Sequence, residues 1–301
     1  MTNVSVIIPH KNSGLLLKRL LESVPKDEQY QVIVCDDHSK DDELGIVKEL
    51  QQQYNFELYE NEGFGAGGAR NTALKHAEGK WLLFADSDDF FMSPLEEIVK
   101  KYMESDADIV YFNVDSCYSE SLKPAYRGKH VNGLVETYKR TGNDKVLRFK
   151  HLSPWGKLIK TSLVKDNDIK FEEIIAANDN MFCILTGLKA NKVVCEDVAV
   201  YMVTLSEGSS ITTQLSKERF ESKLHATIRV NKLLRKSGYG KYQKSVLYFI
   251  GMGFRIGFFY GLSVLWVIVK NGLNPFIGLG KIFQPQEIKK NIDIPVVQEK
   301  A

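Results

Sequence analysis

Short β-branched and apolar runs alternate with helical patterns from residue 4 to about residue 114. The runs at 4–8, 31–35, 56–60, 81–86 and 108–114 predict strands. Between them Leu15, Leu16 and Leu17 with Leu20 and Leu21, then Leu44, Val47 and Leu50, then Ala69, Ala73, Leu74 and Ala77 recur at three- and four-residue spacing, the period of a helix with one buried face. Such alternation builds a mainly parallel sheet flanked by helices, so an α/β fold is expected. The pattern loosens over 115–213, where the polar stretch 116–129 predicts a loop or insertion, 179–188 a helix and 198–205 a strand. Residues 216–236 read as a basic amphipathic helix, and 246–269 are almost wholly apolar.

Open α/β sheets bind ligands beyond the C-terminal ends of their strands, and the unusual residues of this chain fall there. The first strand runs into Pro9-His10-Lys11-Asn12 and the second into Asp36-Asp37-His38-Ser39. Adjacent carboxylates at a strand end repel each other and require a partner, and two readings stand: a donor from a nucleobase or ribose, or a cap on the next helix. The third strand leads into Gly63-Phe64-Gly65-Ala66-Gly67-Gly68-Ala69-Arg70, which satisfies G-x-G-x-x-G with Asp86 about 20 residues on, the dinucleotide fingerprint. It sits in the third unit, however, behind polar Glu60-Asn61-Glu62, and Asp86 opens a carboxylate cluster. A glycine-rich turn including Gly65, bringing backbone close to a nucleotide with Arg70 free to reach a ribose, base or phosphate, fits better. The fourth strand delivers Asp86-Ser87-Asp88-Asp89. Three carboxylates in four residues suit Mg²⁺ or Mn²⁺ bridged to a diphosphate, the alternative being a solvated turn and cap before Pro94.

In order and spacing, Val4-Ser5-Val6-Ile7-Ile8-Pro9 with Asn12, Asp36-Asp37-x-Ser39, Asn61-x-Gly63-x-Gly65 running into Ala69-Arg70-Asn71, and Asp86-x-Asp88-Asp89 resemble the family 2 glycosyltransferases of GT-A fold. The resemblance implies transfer of a sugar from a nucleotide-diphosphate donor, most often a UDP-sugar, with inversion, to a glycan or lipid-linked acceptor in cell-surface polysaccharide synthesis. It implies that the Pro9–Asn12 loop, Asp36 and Asp37 hold the nucleoside, helped by Arg70, and that Asp86 and Asp88 contact ribose and metal-bound diphosphate, Asp89 sharing the metal. The general base that inversion needs matches Asp179, in Ala177-Asn178-Asp179-Asn180, where Asn178 replaces the family's glutamate. Trp155 and Lys157 match a segment where an aromatic stacks on a sugar and a lysine meets phosphate or acceptor. His10 and Lys11 depart from the family's apolar and aromatic pair, and His38 stands for a common glycine at a turn that favours positive φ.

Composition bounds these readings. The chain has 301 residues, 44% hydrophobic and 26% charged, which excludes a disordered, collagenous or disulfide-stapled protein. Its net charge of +2 conceals a split: residues 214–301 carry 15 basic and 5 acidic side chains, leaving −8 on residues 1–213. The expected division is therefore a GT-A catalytic domain over 1–213, with a nucleotide-sugar half to about 114 and an acceptor half beyond it, and a basic, apolar helical extension over 214–301. Cys35, Cys117, Cys183 and Cys195 lack metal or redox spacing and read as packing residues. The N-terminal residues show no basic n-region or signal-length apolar stretch, so the chain is expected to open in folded structure.

The extension has two readings, a solvated or self-packed helical appendage and a membrane contact. Residues 246–269 carry only Arg255 as formal charge and would make about 36 Å of continuous helix. Gly253, Gly257 and Gly261 repeat at four-residue spacing, as in closely packed helices. Lysines on both flanks, Lys270, Lys281, Lys289 and Lys290 among them, speak against spanning and for in-plane attachment to the cytoplasmic membrane face. Nucleic acid is not an expected partner, and the oligomeric state is left open. A sugar nucleotidyltransferase and a non-catalytic sugar-binding protein are the rival functions. The first would want a glycine-rich basic loop where Pro9-His10-Lys11-Asn12-Ser13 stands.

Overall fold

Val4–His10 (β1) is buried along its whole length, the pattern of a strand covered on both faces. Its side chains alternate between two cores. Val4, Val6 and Ile8 join one, with the leucines of helix Gly14–Ser23 and Val47 and Leu50 of helix Asp41–Gln53. Ile7 joins the other, with Ala69, Ala73 and Leu74 of helix Gly65–His76. Tyr30–Asp36 (β2) and Trp81–Phe84 (β4) divide their side chains in the same way, so helices cover both faces of one sheet.

A computed structural model describes residues 2–207 and 216–279. The remaining strands are Glu57–Glu60 (β3), Phe90–Phe91 (β5), Ile109–Tyr118 (β6), Lys157–Lys160 (β7) and Val193–Leu205 (β8). The sheet order is β3-β2-β1-β4-β7-β6-β8-β5. β3, β2, β1 and β4 are mutually parallel, β7 runs antiparallel between β4 and β6, β8 is parallel to β6, and β5 is antiparallel to β8. This is the mainly parallel α/β sheet expected from the sequence. Pro9 is tolerated in central β1 because pairing with β4 ends at Ile7–Phe84, where a missing N–H on that side costs no ladder bond.

Several expectations change. The polar stretch 116–129 is not all loop, since β6 continues through Tyr118 in register with β8. β5 and β7 were not expected, being too short to show a period. The apolar run 246–269 is not one helix. It breaks at Gly257, with φ 171 and ψ 151, into helices Leu247–Ile256 and Phe258–Lys270. Among the described residues no helix is long and apolar enough to cross a membrane. All four cysteines are free, three of them buried, as packing residues are.

The chain divides into two compact units, Met1–Val230 and Asn231–Ala301. The division falls inside helix Lys217–Lys236, whereas the boundary expected at 213/214, like Lys281, Lys289 and Lys290, lies outside the described residues. Within the second unit, Gly253 and Gly261 let its two apolar helices meet: a Cβ on Gly253 would lie 3.2 Å from the Gly261 Cα.

A tight approach also fixes the entry to β4. A methyl group on Gly79 would sit 2.4 Å from the Ser5 backbone nitrogen and 2.6 Å from the Val4 carbonyl carbon, in the central strand. Gly79→Ala is therefore expected to lower unfolding free energy by about 1–3 kcal/mol or more, measured by urea denaturation. Unchanged stability would show that β1 yields at this point.

Candidate active site

The loops after β1 and β2 are locked together by internal hydrogen bonds. The Ser13 amide donates to His10 Nε2 at 3.2 Å, so His10 carries its proton on Nδ1 and donates it to Asp36 Oδ1 at 2.8 Å. Ser39 completes the carboxylate's shell, its hydroxyl donating to Asp36 Oδ1 at 2.6 Å and its amide to Oδ2 at 2.9 Å. Burial works against Asp36 ionisation, but the Ser39 and His10 hydrogen bonds outweigh it and hold the carboxyl below its ordinary value. Asp37 accepts from Asn61 Nδ2 at 2.6 Å and Lys11 Nζ at 3.1 Å. The repulsion anticipated between Asp36 and Asp37 is thus relieved within the chain: one carboxylate turns in, and the other meets a cation from the neighbouring loop. Asn12, at φ 49, ties the loops a second time, its amide donating to Ser39 Oγ and its side chain accepting from the Lys40 amide. Pro9 lies in β1, packed and buried.

The glycines of the third loop meet protein. A Cβ on Gly67 would lie 2.2 Å from the Glu172 carbonyl oxygen, one on Gly63 would lie 2.5 Å from the Glu173 carboxylate, and one on Gly68 would lie 2.8 Å from Asn61 Oδ1. Gly63 and Gly67 draw segment 171–178 onto the loop, and Gly68 lets the loop fold on itself, instead of clearing room for a nucleotide. Gly65, at φ 62, is the open one, with nothing within 4 Å of a Cβ built on it. Asn71 seals the contact, donating to the Phe171 carbonyl at 3.0 Å and accepting from the Phe171 amide at 2.8 Å.

Arg70 joins two further pieces. It is 5% exposed. Its guanidinium donates to Asp86 Oδ1 at 2.5 Å and to Asn178 Oδ1 at 3.1 Å, and lies 5.3 Å over the Phe171 ring. Arg70 is therefore not wholly free to reach a ligand: one N–H of each terminal nitrogen is taken within the chain, while Nε has no partner. Asn178 precedes Asp179, the half-buried first residue of helix Asp179–Lys189, where a carboxylate also complements the helix dipole. Ala177 before them is held at φ 63, in the left-handed region a non-glycine residue rarely adopts.

The acidic turn after β4 separates into roles. Asp89 is buried, accepting from the Tyr201 hydroxyl at 2.8 Å and the Thr204 amide at 2.7 Å. Both its oxygens are occupied by β8, so Asp89 does not fit the metal set expected for it. Burial, then the negative charges of Asp88 and Asp86, push its carboxyl well above the ordinary value. Asp88 is exposed at the surface but crowded by protein, and this crowding together with Asp86 raises its carboxyl as well. Among the described residues no group of three or more acidic, histidine or cysteine side chains is arranged to hold a metal. Asp86 is paired with Arg70, while the charges acting on Asp88 come from Asp86, Arg127 and Arg19, and these two carboxylates make a donor set suited to an ion that keeps few protein ligands and takes the rest from phosphate or water.

Sequence reasoning missed the supports of this turn. Arg19 donates to the Asp88 carbonyl at 2.5 Å, Thr204 Oγ1 to the same carbonyl at 2.7 Å, and the Asp86 amide to the Tyr201 hydroxyl at 2.9 Å. Their positions in strand and helix gave no signal beyond ordinary amphipathic spacing. Trp155 and Lys157 move the other way. Trp155 is 7% exposed and stacks on Tyr201 with centroids 5.7 Å apart. Lys157 is 1% exposed and donates to the His151 carbonyl at 2.8 Å. Neither reaches an acceptor, because both are core residues. Burial lowers the Lys157 ammonium from its usual value, partly offset by Cys183 and by Asp179.

A sequence profile described as Glycosyl transferase family 2 matches residues 5–167. The chain belongs to that family. Among its relatives, the poly(ribitol-phosphate) β-N-acetylglucosaminyltransferase TarS of Staphylococcus aureus is 34% identical over 226 residues, 71% of this chain and 37% of TarS. The UDP-Glc:α-D-GlcNAc-diphosphoundecaprenol β-1,3-glucosyltransferase WfgD of Escherichia coli is 33% identical over 141 residues, 46% of this chain and 54% of WfgD. The crystal structure of S. aureus TarS 1–349 in complex with UDP-GlcNAc superposes with a TM-score of 0.64 at 26% identity, over 97% of this chain and 84% of that one. The GT-A fold follows, although this chain spans only 37% of full-length TarS.

The departures from the family 2 pattern now have local causes. His10 serves Asp36 and Lys11 serves Asp37. His38 takes φ 58, the positive value anticipated at a position where glycine is common. Because the folded-state pKa of Asp36 is depressed, its stabilisation is present above the ordinary aspartate value and is lost as pH falls through and below it. Asp36→Asn should therefore cost about 1–3 kcal/mol at neutral pH. The difference from wild type should shrink below about pH 4, as read by denaturant titration across pH. A pH-independent difference would remove the assigned cause.

Proposed function

We propose that the chain transfers a sugar from a nucleoside-diphosphate donor, a UDP-sugar foremost, to a hydroxyl of a glycan or lipid-linked acceptor, with inversion, in the synthesis of a cell-surface polymer at the cytoplasmic side of the membrane. The observation that carries this reading is the Arg70 bridge, which sets Asp86 of the acidic turn and Asn178, next to Asp179, on one guanidinium. Family membership favours glycosyl over nucleotidyl transfer. The UDP-GlcNAc complex of TarS 1–349 and the UDP-Glc donor and diphosphoundecaprenol acceptor in the name of WfgD support the substrate classes.

In this reading Asp37 and Asn12 border the nucleoside and Asp86 the ribose. Asp88 with Asp86 would hold Mg²⁺ or Mn²⁺, which when bound offsets the charge of the diphosphate as it leaves. The acceptor hydroxyl oxygen attacks the anomeric carbon from the side opposite the diphosphate, forming the new C–O bond as the old one breaks. Its proton passes to the Asp179 carboxylate. The helix N-terminus beneath Asp179 and the loop hydrogen bond from the Glu172 amide to the Asn178 carbonyl, 3.1 Å, keep that carboxylate in place.

Asp179→Asn is expected to reduce transfer by about 10²–10⁴-fold while calorimetry shows donor affinity nearly unchanged. Normal turnover would exclude Asp179 as the base. Asp88→Asn should raise the Mn²⁺ concentration needed for half-maximal UDP release by about tenfold or more, measured across a panel of nucleotide sugars. An unshifted metal titration would exclude Asp88 as a ligand.

A further inference from the structure

Helix Phe258–Lys270 is apolar all round, a condition met only by helices buried on every side or facing lipid. One stripe has a partner: Gly261, Val264 and Ile268 are buried, with Gly261 and Val264 against Gly253 of the preceding helix. Among the described residues the opposite stripe has none. Phe259 is 83% exposed, Leu262 41%, Trp266 60% and Val269 53%, a run at three- and four-residue spacing that marks one helix face. Single exposed apolar residues need no explanation, but a continuous aromatic and aliphatic stripe does.

The charge of the same unit says what covers it. From Asn231 to Leu279 there are seven Lys and Arg side chains, Lys232, Arg235, Lys236, Lys241, Lys244, Arg255 and Lys270, and no aspartate or glutamate. Lys241, Arg255 and Lys270 are exposed. Lys270 lies 4.4 Å over the Trp266 ring, an ammonium and an indole side by side at one end of the stripe. A second copy of this unit would bring like charge against like charge. Each of the two helices is too short to cross a bilayer, which leaves the plane of its surface. We propose that helix Phe258–Lys270 docks in-plane on an anionic lipid bilayer, with Phe259, Leu262, Trp266 and Val269 entering the acyl boundary and the surrounding lysines and arginines meeting phosphate headgroups.

The test is sedimentation of the full chain with vesicles of equimolar phosphatidylglycerol and phosphatidylcholine, and with phosphatidylcholine alone. Binding to the anionic vesicles should exceed the neutral ones by about tenfold or more and fall with added salt. Tryptophan emission should shift to the blue, because Trp81 and Trp155 are already buried and Trp266 is the exposed reporter. Phe259→Ser combined with Leu262→Ser keeps that reporter. The double variant should lose both vesicle binding and the blue shift while its melting temperature holds. The proposal is overturned if the wild type stays in the supernatant with both vesicles, or if the double variant binds as well as wild type. It is overturned equally if lipid-free protein forms a dimer that the double variant abolishes, which would give the face to a second copy.

Discussion

A guanidinium that is nearly wholly buried must be neutralised where it sits, because an unpaired charge in protein interior costs several kcal/mol. Arg70 meets this condition with one carboxylate, Asp86, and one side-chain amide, Asn178, which belong to segments remote in sequence. Loss of Asp86 would strand the charge, and loss of Asn178 would leave one of its buried donors unpaired. The acidic turn after β4 and the segment entering helix Asp179–Lys189 are thereby referred to a single planar group, whose fork fixes direction as well as distance. The site's remaining bonds follow from that fixed point. β8 holds the turn from behind through Tyr201 and Thr204, and Asn71 pins Phe171 beneath the guanidinium.

The glycines make this geometry accessible. Segment 171–178 approaches so closely that a side chain at Gly67 would collide with the Glu172 carbonyl and one at Gly63 with the Glu173 carboxylate. Read as sequence, Gly63, Gly65 and Gly68 of this loop matched a nucleotide fingerprint, because closeness to phosphate and closeness to other protein atoms make the same demand for a missing Cβ. The pattern recorded close approach correctly and left the approaching object unnamed. Only the three-dimensional position of Glu172 and Glu173, more than a hundred residues away, supplied it.

The same division runs through the rest of the molecule. Strands β1, β2 and β4 and their helices were legible because each buries a periodic face. The loops carrying Asp36, Asp37, Asp86 and Asp88 were legible because carboxylates at strand ends are costly and conspicuous. Arg19, Tyr201 and Thr204 were not, since a residue that supports a turn through one hydrogen bond sits in an otherwise ordinary amphipathic pattern. Trp155 and Lys157 misled for a related reason. Residue type suggested a surface that stacks and pairs with ligand, whereas Tyr201 and the His151 carbonyl already take those interactions in the interior. Asp89 shares this fate, its neighbours in sequence facing outward while β8 claims both of its oxygens.

Ala177 carries a consequence of its own. An alanine isolated from its surroundings would leave φ 63, a conformation that costs on the order of 1 kcal/mol for a residue with a Cβ. It stays because Asn178 is gripped on one side by Arg70 and on the other by the Glu172 amide. The strained residue therefore works as a latch held shut by its neighbours, and the separation between the acidic turn and Asp179 is set before any ligand arrives. Under the proposed reading, substrates would meet a gauge already cut to size, and what fits between the two carboxylate positions would be decided by the resting protein.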